Sequence, residues 1–337
     1  MKLLWYVVRR LLLLIPMLLG ITLVIFILTR VVIHGDPISE MVPPMASAAV
    51  RARVAAMNGL TKPVLIQYFW YIGNLLHGSL GTSFTTSHPV LQDLTTFFSA
   101  TFELTTYAMI LAVILGIAFG LIAALRRNGW VDHLLRLLSV TGVAMPVFWL
   151  SLVAIYFLFL QWHLVPAPTG RISPALTPPT TITGLYLVDS LLTGNWQDLA
   201  SSFQQILLPM LVLAFGAMAP IARMTRTGMI EALDAQYTTA ARTLGLPGRR
   251  IVLRYALKNA LLPVVTMIGV VYGYLLGGSV LVENIFAWPG LGRYAYNAIA
   301  GSDFPAVQGF ILYAATTYAL IFLVADVVYR WLDPRLR

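Results

Sequence analysis

Long uncharged apolar runs alternate along this chain with short polar connections. The runs cover 11–29, 104–125, 137–162, 199–222, 259–282 and 304–325. Each is long enough, as a helix, to cross a hydrocarbon core of roughly 30 Å. None shows the period-2 alternation of a membrane-spanning strand, so the runs predict helices and not a barrel. The pattern predicts an all-α integral membrane protein with six transmembrane helices.

The connections carry their own signals. In the segment 31–103, Gly35-Asp36-Pro37 and Pro43-Pro44 mark turns. The stretch 64–76, VLIQYFWYIGNLL, predicts a short helix at the lipid interface or packed on the bundle. Five prolines at 166, 168, 174, 178 and 179 break the segment 163–198, which reads as an ordered loop over the mouth of the bundle. Trp288-Pro289-Gly290-Leu291 has the Pro-Gly order of a type II turn. Pro146, Pro209, Pro220 and Pro263 lie within runs and predict kinks. No repeat or soluble domain interrupts the chain, so 1–337 reads as a single membrane domain.

Charge sets the orientation. With six spans, both termini share a side with the loops 126–136 and 223–258, and that side carries sixteen of the 22 Lys and Arg residues. Arg30, Arg51, Arg53, Lys62, Arg171 and Arg293 remain for the other side. The positive-inside rule therefore places both termini in the cytoplasm. Composition agrees with a membrane protein: 59% of residues are hydrophobic and 10% charged, with a mean hydropathy of +0.82. Topology accounts for the net charge of +9 without a nucleic-acid partner. Arg9-Arg10 before an apolar run and the distant Ala46-Ser47-Ala48 imitate a signal peptide. The run is longer than an ordinary signal core, so it reads as an uncleaved first span.

Catalytic chemistry is missing from the inventory. There is no cysteine, no H-E-x-x-H, no G-x-S-x-G and no G-x-x-x-x-G-K-[ST] to hold a nucleotide. His34, His77, His88, His133 and His163 are scattered and suggest no metal site. Glu103, Glu283 and Asp326 fall at span ends, leaving the span centres uncharged. A stand-alone channel or secondary carrier is the alternative reading, and a carrier would ordinarily place charge inside the membrane. Any driving energy is expected from a partner.

One polar stretch departs from the simple pattern. Between 223 and 258, Leu233, Tyr237, Ala240, Ala241 and Leu244 recur at helical spacing on one face. Gly245 and Pro247 are placed to end that helix. A second helix is expected from about Gly248, carrying Arg250, Arg254 and Lys258 as a stripe. The prediction is a cytoplasmic helical hairpin. In the fifth run, Gly269, Gly273 and Gly277 form a small-residue face, for packing within the subunit or against another, and Gly116 and Gly120 do the same in the second.

The hairpin resembles the EAA loop of ABC importer permeases, in the form found in the dipeptide/oligopeptide/nickel family. Ala241-Arg242-Thr243-Leu244-Gly245-Leu246 and Lys258-Asn259-Ala260-Leu261-Leu262-Pro263 carry the likeness, although Thr239 stands where the general motif has Glu. Arg9-Arg10-Leu11, Gly35-Asp36-Pro37, Gln67-Tyr68, Gly78-Ser79-Leu80-Gly81-Thr82-Ser83, Phe286-Ala287-Trp288-Pro289-Gly290-Leu291-Gly292 and Leu332-Asp333-Pro334-Arg335 extend it along nearly the whole chain. The resemblance implies a type I importer permease of the bacterial inner membrane. Its implied partners are a second homologous permease, two cytoplasmic ABC ATPases that bind ATP and Mg, and an extracytoplasmic substrate-binding protein. No cofactor and no catalytic residue is expected in this chain. Tyr237, Ala240, Ala241, Arg242, Leu244, Gly245, Arg250 and Arg254 would contact an ATPase. Gly269, Gly273 and Gly277 would serve helix packing or the pathway. Di- and oligopeptides lead as substrates, with nickel, opines, glutathione and oligosaccharides left open.

Overall fold

The computed structural model describes residues 2–29, 45, 47–57 and 61–332. The expected turns at 35–37 and 43–44, His34, Arg30 and the residues after Leu332 lie outside them. The described elements are helical, apart from a single antiparallel bridge between Thr82 and Pro89. In chain order they are α1 (Lys2–Ile27), α2 (Ala48–Met57), α3 (Val64–Leu76), α4 (Val90–Leu125), α5 (Trp130–Ala144) and α6 (Val147–Ala154), which continues as π-helix over Ile155–Gln161. Then come α7 (Tyr186–Leu192), α8 (Trp196–Asp234), α9 (Gln236–Thr243), α10 (Gly248–Gly277, with a π-helical turn at Ile251–Ala256), α11 (Val280–Ile285), α12 (Leu291–Ala300) and α13 (Phe304–Leu332).

Among the described residues five helices are long and apolar enough to cross a membrane: α1, α4, α8, α10 and α13. A sixth crossing exists if the pair α5 and α6 counts as one span, bent by 104°. The run 137–162 is therefore not one straight helix. Pro146 supplies no N–H, and Met145 before it is extended (φ −77°, ψ 126°), so the helix stops there and restarts. By contrast, α8 continues unbroken through Pro209 and Pro220, and α10 through Pro263.

α8 is the axis of the bundle. Of its most apolar window 67% is buried, against 0% for α13 and 17% for α1, which lie at the periphery. α4 packs along α8 at glycine. A Cβ at Gly116 would stand 2.7 Å from Ile221, and one at Gly120 would stand 2.5 Å from Thr225. These positions admit no side chain while the backbones stay this close. The main core gathers Leu104, Ala108, Ala112, Ile206, Leu213 and Ile221 along this seam.

α4 has 36 residues and α8 has 39. At 1.5 Å per residue they span about 54 and 58 Å, well beyond a core of roughly 30 Å. Both helices therefore carry structure outside the membrane. α3 lies against α1 through Tyr68, whose ring meets Phe26 at 5.3 Å. It leaves Leu65, Phe69 and Trp70 exposed, as an interfacial helix would.

Candidate coupling surface and translocation groove

α8 does not end with its apolar run. It continues as helix through Arg223, Arg226 and Glu231 to Asp234, and the chain then turns into α9. Hydropathy marks the membrane and not the helix, which is why the sequence places the start of the loop at 223. The Thr238 hydroxyl donates to the Ala232 carbonyl at 2.6 Å and fixes the corner. At the other end Gly245 takes φ +72°, and the Leu246 amide returns to the Ala241 carbonyl at 3.3 Å. That is a left-handed helix stop, the conformation glycine adopts at least cost. Pro247 follows, and α10 begins at Gly248.

The face expected to act as one unit divides in two. Ala241 is 4% exposed and Thr238 fully buried, so these turn inward onto the protein's own helices. Tyr237 (42% exposed), Ala240, Arg242, Leu244 (79% exposed) and Gly245 face outward. Arg250, Arg254 and Lys258 are also exposed. Ala124, Met229, Ala232, Ala256 and Ala260 form a compact core beneath the hairpin. Small residues bring the helices close there: a Cβ at Gly228 would lie 3.0 Å from the Ala260 carbonyl. The hairpin is thus fastened to the ends of α4, α8 and α10.

A buried ion pair secures the same end. Arg226 on α8 donates Nε to Asp132 Oδ1 at 2.7 Å and Nη2 to Oδ2 at 2.8 Å. The Asn128 amide donates to Oδ2 at 3.0 Å, and Arg136 Nε lies 3.6 Å from Oδ1. Asp132 is wholly buried. Its desolvation is offset by this bidentate, charge-assisted contact. Arg127 and Asp234 add an exposed pair at 3.1 Å.

The glycine face of α10 meets α13. A Cβ at Gly269 would stand 2.6 Å from that of Ala325, and one at Gly273 would stand 2.6 Å from the Tyr318 ring. Gly277 has nothing within 4 Å. Two of the three glycines therefore pack within the subunit, and the third is open. Beside them runs a groove of about 600 Å³ between α10 and α13, lined by Phe98, Ile268, Tyr272, Tyr313, Thr316 and Thr317 among others. Tyr272 and Thr106 hydroxyls are 2.7 Å apart at its edge.

The opposite end of the bundle is closed by two buried carboxylates. Glu103 accepts from Arg171 Nη2 at 2.5 Å, Arg171 Nε at 3.2 Å and the Leu187 amide at 2.8 Å. These contacts pin the proline-broken loop onto α4, and within the loop Arg171 stacks 3.7 Å from the Tyr186 ring. Glu283 accepts from Thr101 and Ser279 hydroxyls, both at 2.7 Å, and from the amides of Gly292 and Arg293 at 2.7 and 3.1 Å. Burial pushes the Glu283 carboxyl up, and these four donors pull against it. At Asp189 burial also opposes ionisation. There the Thr183 hydroxyl and the amides of Thr183, Ile182 and Gly184 prevail and hold the carboxyl below its usual value.

The Trp288–Leu291 segment is not a type II turn. Gly290 has φ −108° and ψ −178°, an extended conformation open to any residue, and the left-handed position falls on Ala287 (φ 52°). Gly290 is required for space instead. A Cβ there would overlap Glu283 and stand 2.5 Å from the Thr101 hydroxyl. Sequence reasoning placed Glu103 and Glu283 at span ends and missed both as hubs, and it missed Asp132 entirely. A lone acid facing a lone base 94 or 68 residues away carries no local pattern.

Comparison with known proteins accords with this architecture. Residues 116–337 match the family described as binding-protein-dependent transport system inner membrane component. The chain is 42% identical over 317 residues to a probable D,D-dipeptide transport system permease protein, DdpB, of Escherichia coli K12, covering 94% of this chain and 93% of that protein. It is 39% identical to the dipeptide transport system permease protein DppB of the same organism, with 98% of each chain covered. The glutathione transport system permease protein GsiC of Salmonella typhimurium is 36% identical, again with 98% of each covered. Full-length similarity at this level, together with the family match, leaves the stand-alone channel or carrier unfavoured. The chain belongs to the inner-membrane permease components of binding-protein-dependent ABC importers, in the dipeptide/oligopeptide/nickel family.

Proposed function

We propose that this chain forms half of the pathway of a peptide importer. It pairs with a second, related permease, receives substrate from an extracytoplasmic binding protein, and is driven by two cytoplasmic ATPases that bind ATP and Mg. Both termini lie in the cytoplasm, and the bent α5–α6 pair makes one crossing. The observation that carries the reading is the α8–α9–α10 corner. Exposed Tyr237, Ala240 and Leu244 project from a hairpin whose buried side is fastened to the ends of α4, α8 and α10. A force on the exposed face reaches these helices through packed side chains, and α10 forms one wall of the groove. An ATPase that holds the hairpin differently in its two nucleotide states would shift the bundle between two arrangements.

Peptide as substrate is supported by the names of the relatives, two of them dipeptide permeases. Uptake of labelled dipeptide in a strain lacking this chain, with and without its restoration, tests the proposal. The chain should restore uptake only when binding protein and ATPases are present. Restoration without the ATPases would contradict it.

A further inference from the structure

A second cavity lies near the hairpin end of the bundle, between α4, α5 and α8. It holds about 180 Å³ and is lined by Phe119, Leu135, Val140, Arg136, Arg223 and Arg226, with Gly120 and Ser139 among the remainder. Its walls are mainly apolar, yet three arginines converge on it. The charge does not balance locally. Arg226 is consumed by the bidentate contact to buried Asp132, and that carboxylate also serves Arg136 at the longer distance of 3.6 Å. Arg136 Nη2 also lies 2.6 Å from His133 Nδ1. Arg223, one helical turn before Arg226, is exposed and makes no ion pair among the described residues. Three cations and one anion leave a local charge of about +2 at the crevice.

The surface beside the crevice is apolar. Ile122, Leu125, Trp130, Leu134 and Leu137 are all exposed on α4 and α5. A ligand suited to this arrangement carries a negative headgroup and long apolar chains. We propose that the crevice binds an anionic phospholipid of the cytoplasmic leaflet. The phosphate sits against Arg223 and Arg136, and the acyl chains run along the apolar faces of α4 and α5. Basic pockets between membrane helices on the cytoplasmic side favour such headgroups. The inference rests on the cytoplasmic placement of the α4–α5 turn proposed above. Its position is consequential: the lipid would bear on the Asp132–Arg226 pair, which ties α5 to the helix leading into the coupling hairpin.

The test uses the full-length chain purified in detergent, with native mass spectrometry reading retained lipid during titration with phosphatidylglycerol or phosphatidylcholine. Because binding is read in detergent, the result does not depend on import activity or on membrane orientation. A cytoplasmic reporter after Arg127 tests that placement separately. Wild type should bind phosphatidylglycerol at least ~10-fold more tightly than phosphatidylcholine, and the Arg136→Gln/Arg223→Gln variant should lose that preference. Arg226 is left in place so that the pair with Asp132 survives. If the double variant melts early, Arg223→Gln alone should still reduce the preference at an unchanged melting temperature. Equal retention of phosphatidylglycerol by wild type and variants would overturn the proposal. So would displacement by equimolar inorganic phosphate, which would show a site for free phosphate and not for lipid.

Discussion

Arg226 grips Asp132 through two hydrogen bonds of 2.7 and 2.8 Å, joining the first turn of α5 to the helix that leads into α9. Asp132→Asn removes one charge and leaves the other without its partner. Arg226 is 21% exposed, so water relieves part of the cost. The expected destabilisation is about 2 kcal/mol, below the range for a fully buried pair. Thermal unfolding in detergent should show it. Arg136→Gln, which removes a longer and more exposed contact, should shift the midpoint far less. Equal shifts would mean that the bidentate pair does not secure this end.

The glycine face of α10 yields a graded series. Gly269→Leu meets Ala325, which has no side chain that can swing away, and should cost at least about 2 kcal/mol. Gly273→Leu meets the Tyr318 ring, which can move, and should cost less. Gly277→Leu has open space and should leave the subunit's unfolding unchanged. If Gly277→Leu nevertheless reduces recovery of a second permease, that glycine lies at the subunit contact. A uniform effect of all three would contradict the packing described.

Asp189 gives a pH dependence with a defined sign. Its carboxyl is held below the ordinary 3.8. The stability it contributes is present in full above that value and is lost as pH falls through the lower, folded value. Amide exchange at Ile182, Thr183 and Gly184, corrected for intrinsic rate, should stay slow near neutral pH and accelerate in acid below about 3.8. Asp189→Asn should be fast at both. Unchanged protection in that variant would show that the loop is held by other contacts.

Glycine and proline made the hairpin legible in the sequence. Gly245 before Pro247 announces a left-handed helix stop, and the structure has φ +72° there. The helical period around Tyr237 found the right element but not its division, because Ala240 and Ala241 are identical residues whose environments differ only in the folded chain. Hydropathy found the apolar runs and underestimated α4 and α8, since helices continue into water where hydropathy falls. Pro-Gly suggested a turn type at 289–290, whereas the glycine is fixed by the approach of Glu283. Buried pairs such as Glu103 with Arg171 depend on which loop folds over which helix. No spacing rule encodes that.

Gly245→Val places a β-branched side chain where the backbone needs φ +72°, with nothing nearby to clash. Its cost is conformational, roughly 1–2 kcal/mol. The helix end should fray without affecting the spans. Faster amide exchange at Leu246, whose N–H closes the stop on Ala241, would reveal it. Exchange unchanged from wild type would show that the stop does not depend on glycine.

The central claim is that the outward face of α9 is the surface an ATPase holds. The most direct measurement is the amount of ATPase that co-purifies with tagged permease from membranes, compared between wild type, Leu244→Asp and Ala241→Glu. Leu244 is 79% exposed, so a charge there costs the isolated subunit little but would be desolvated in a docked contact. Leu244→Asp should therefore insert and unfold like wild type while retaining at least ~10-fold less ATPase. Ala241, 4% exposed, lies under the chain's own helices, so Ala241→Glu should lower the unfolding temperature first and lose ATPase as a consequence. Wild-type recovery of ATPase with Leu244→Asp, in permease of normal stability, would contradict the account.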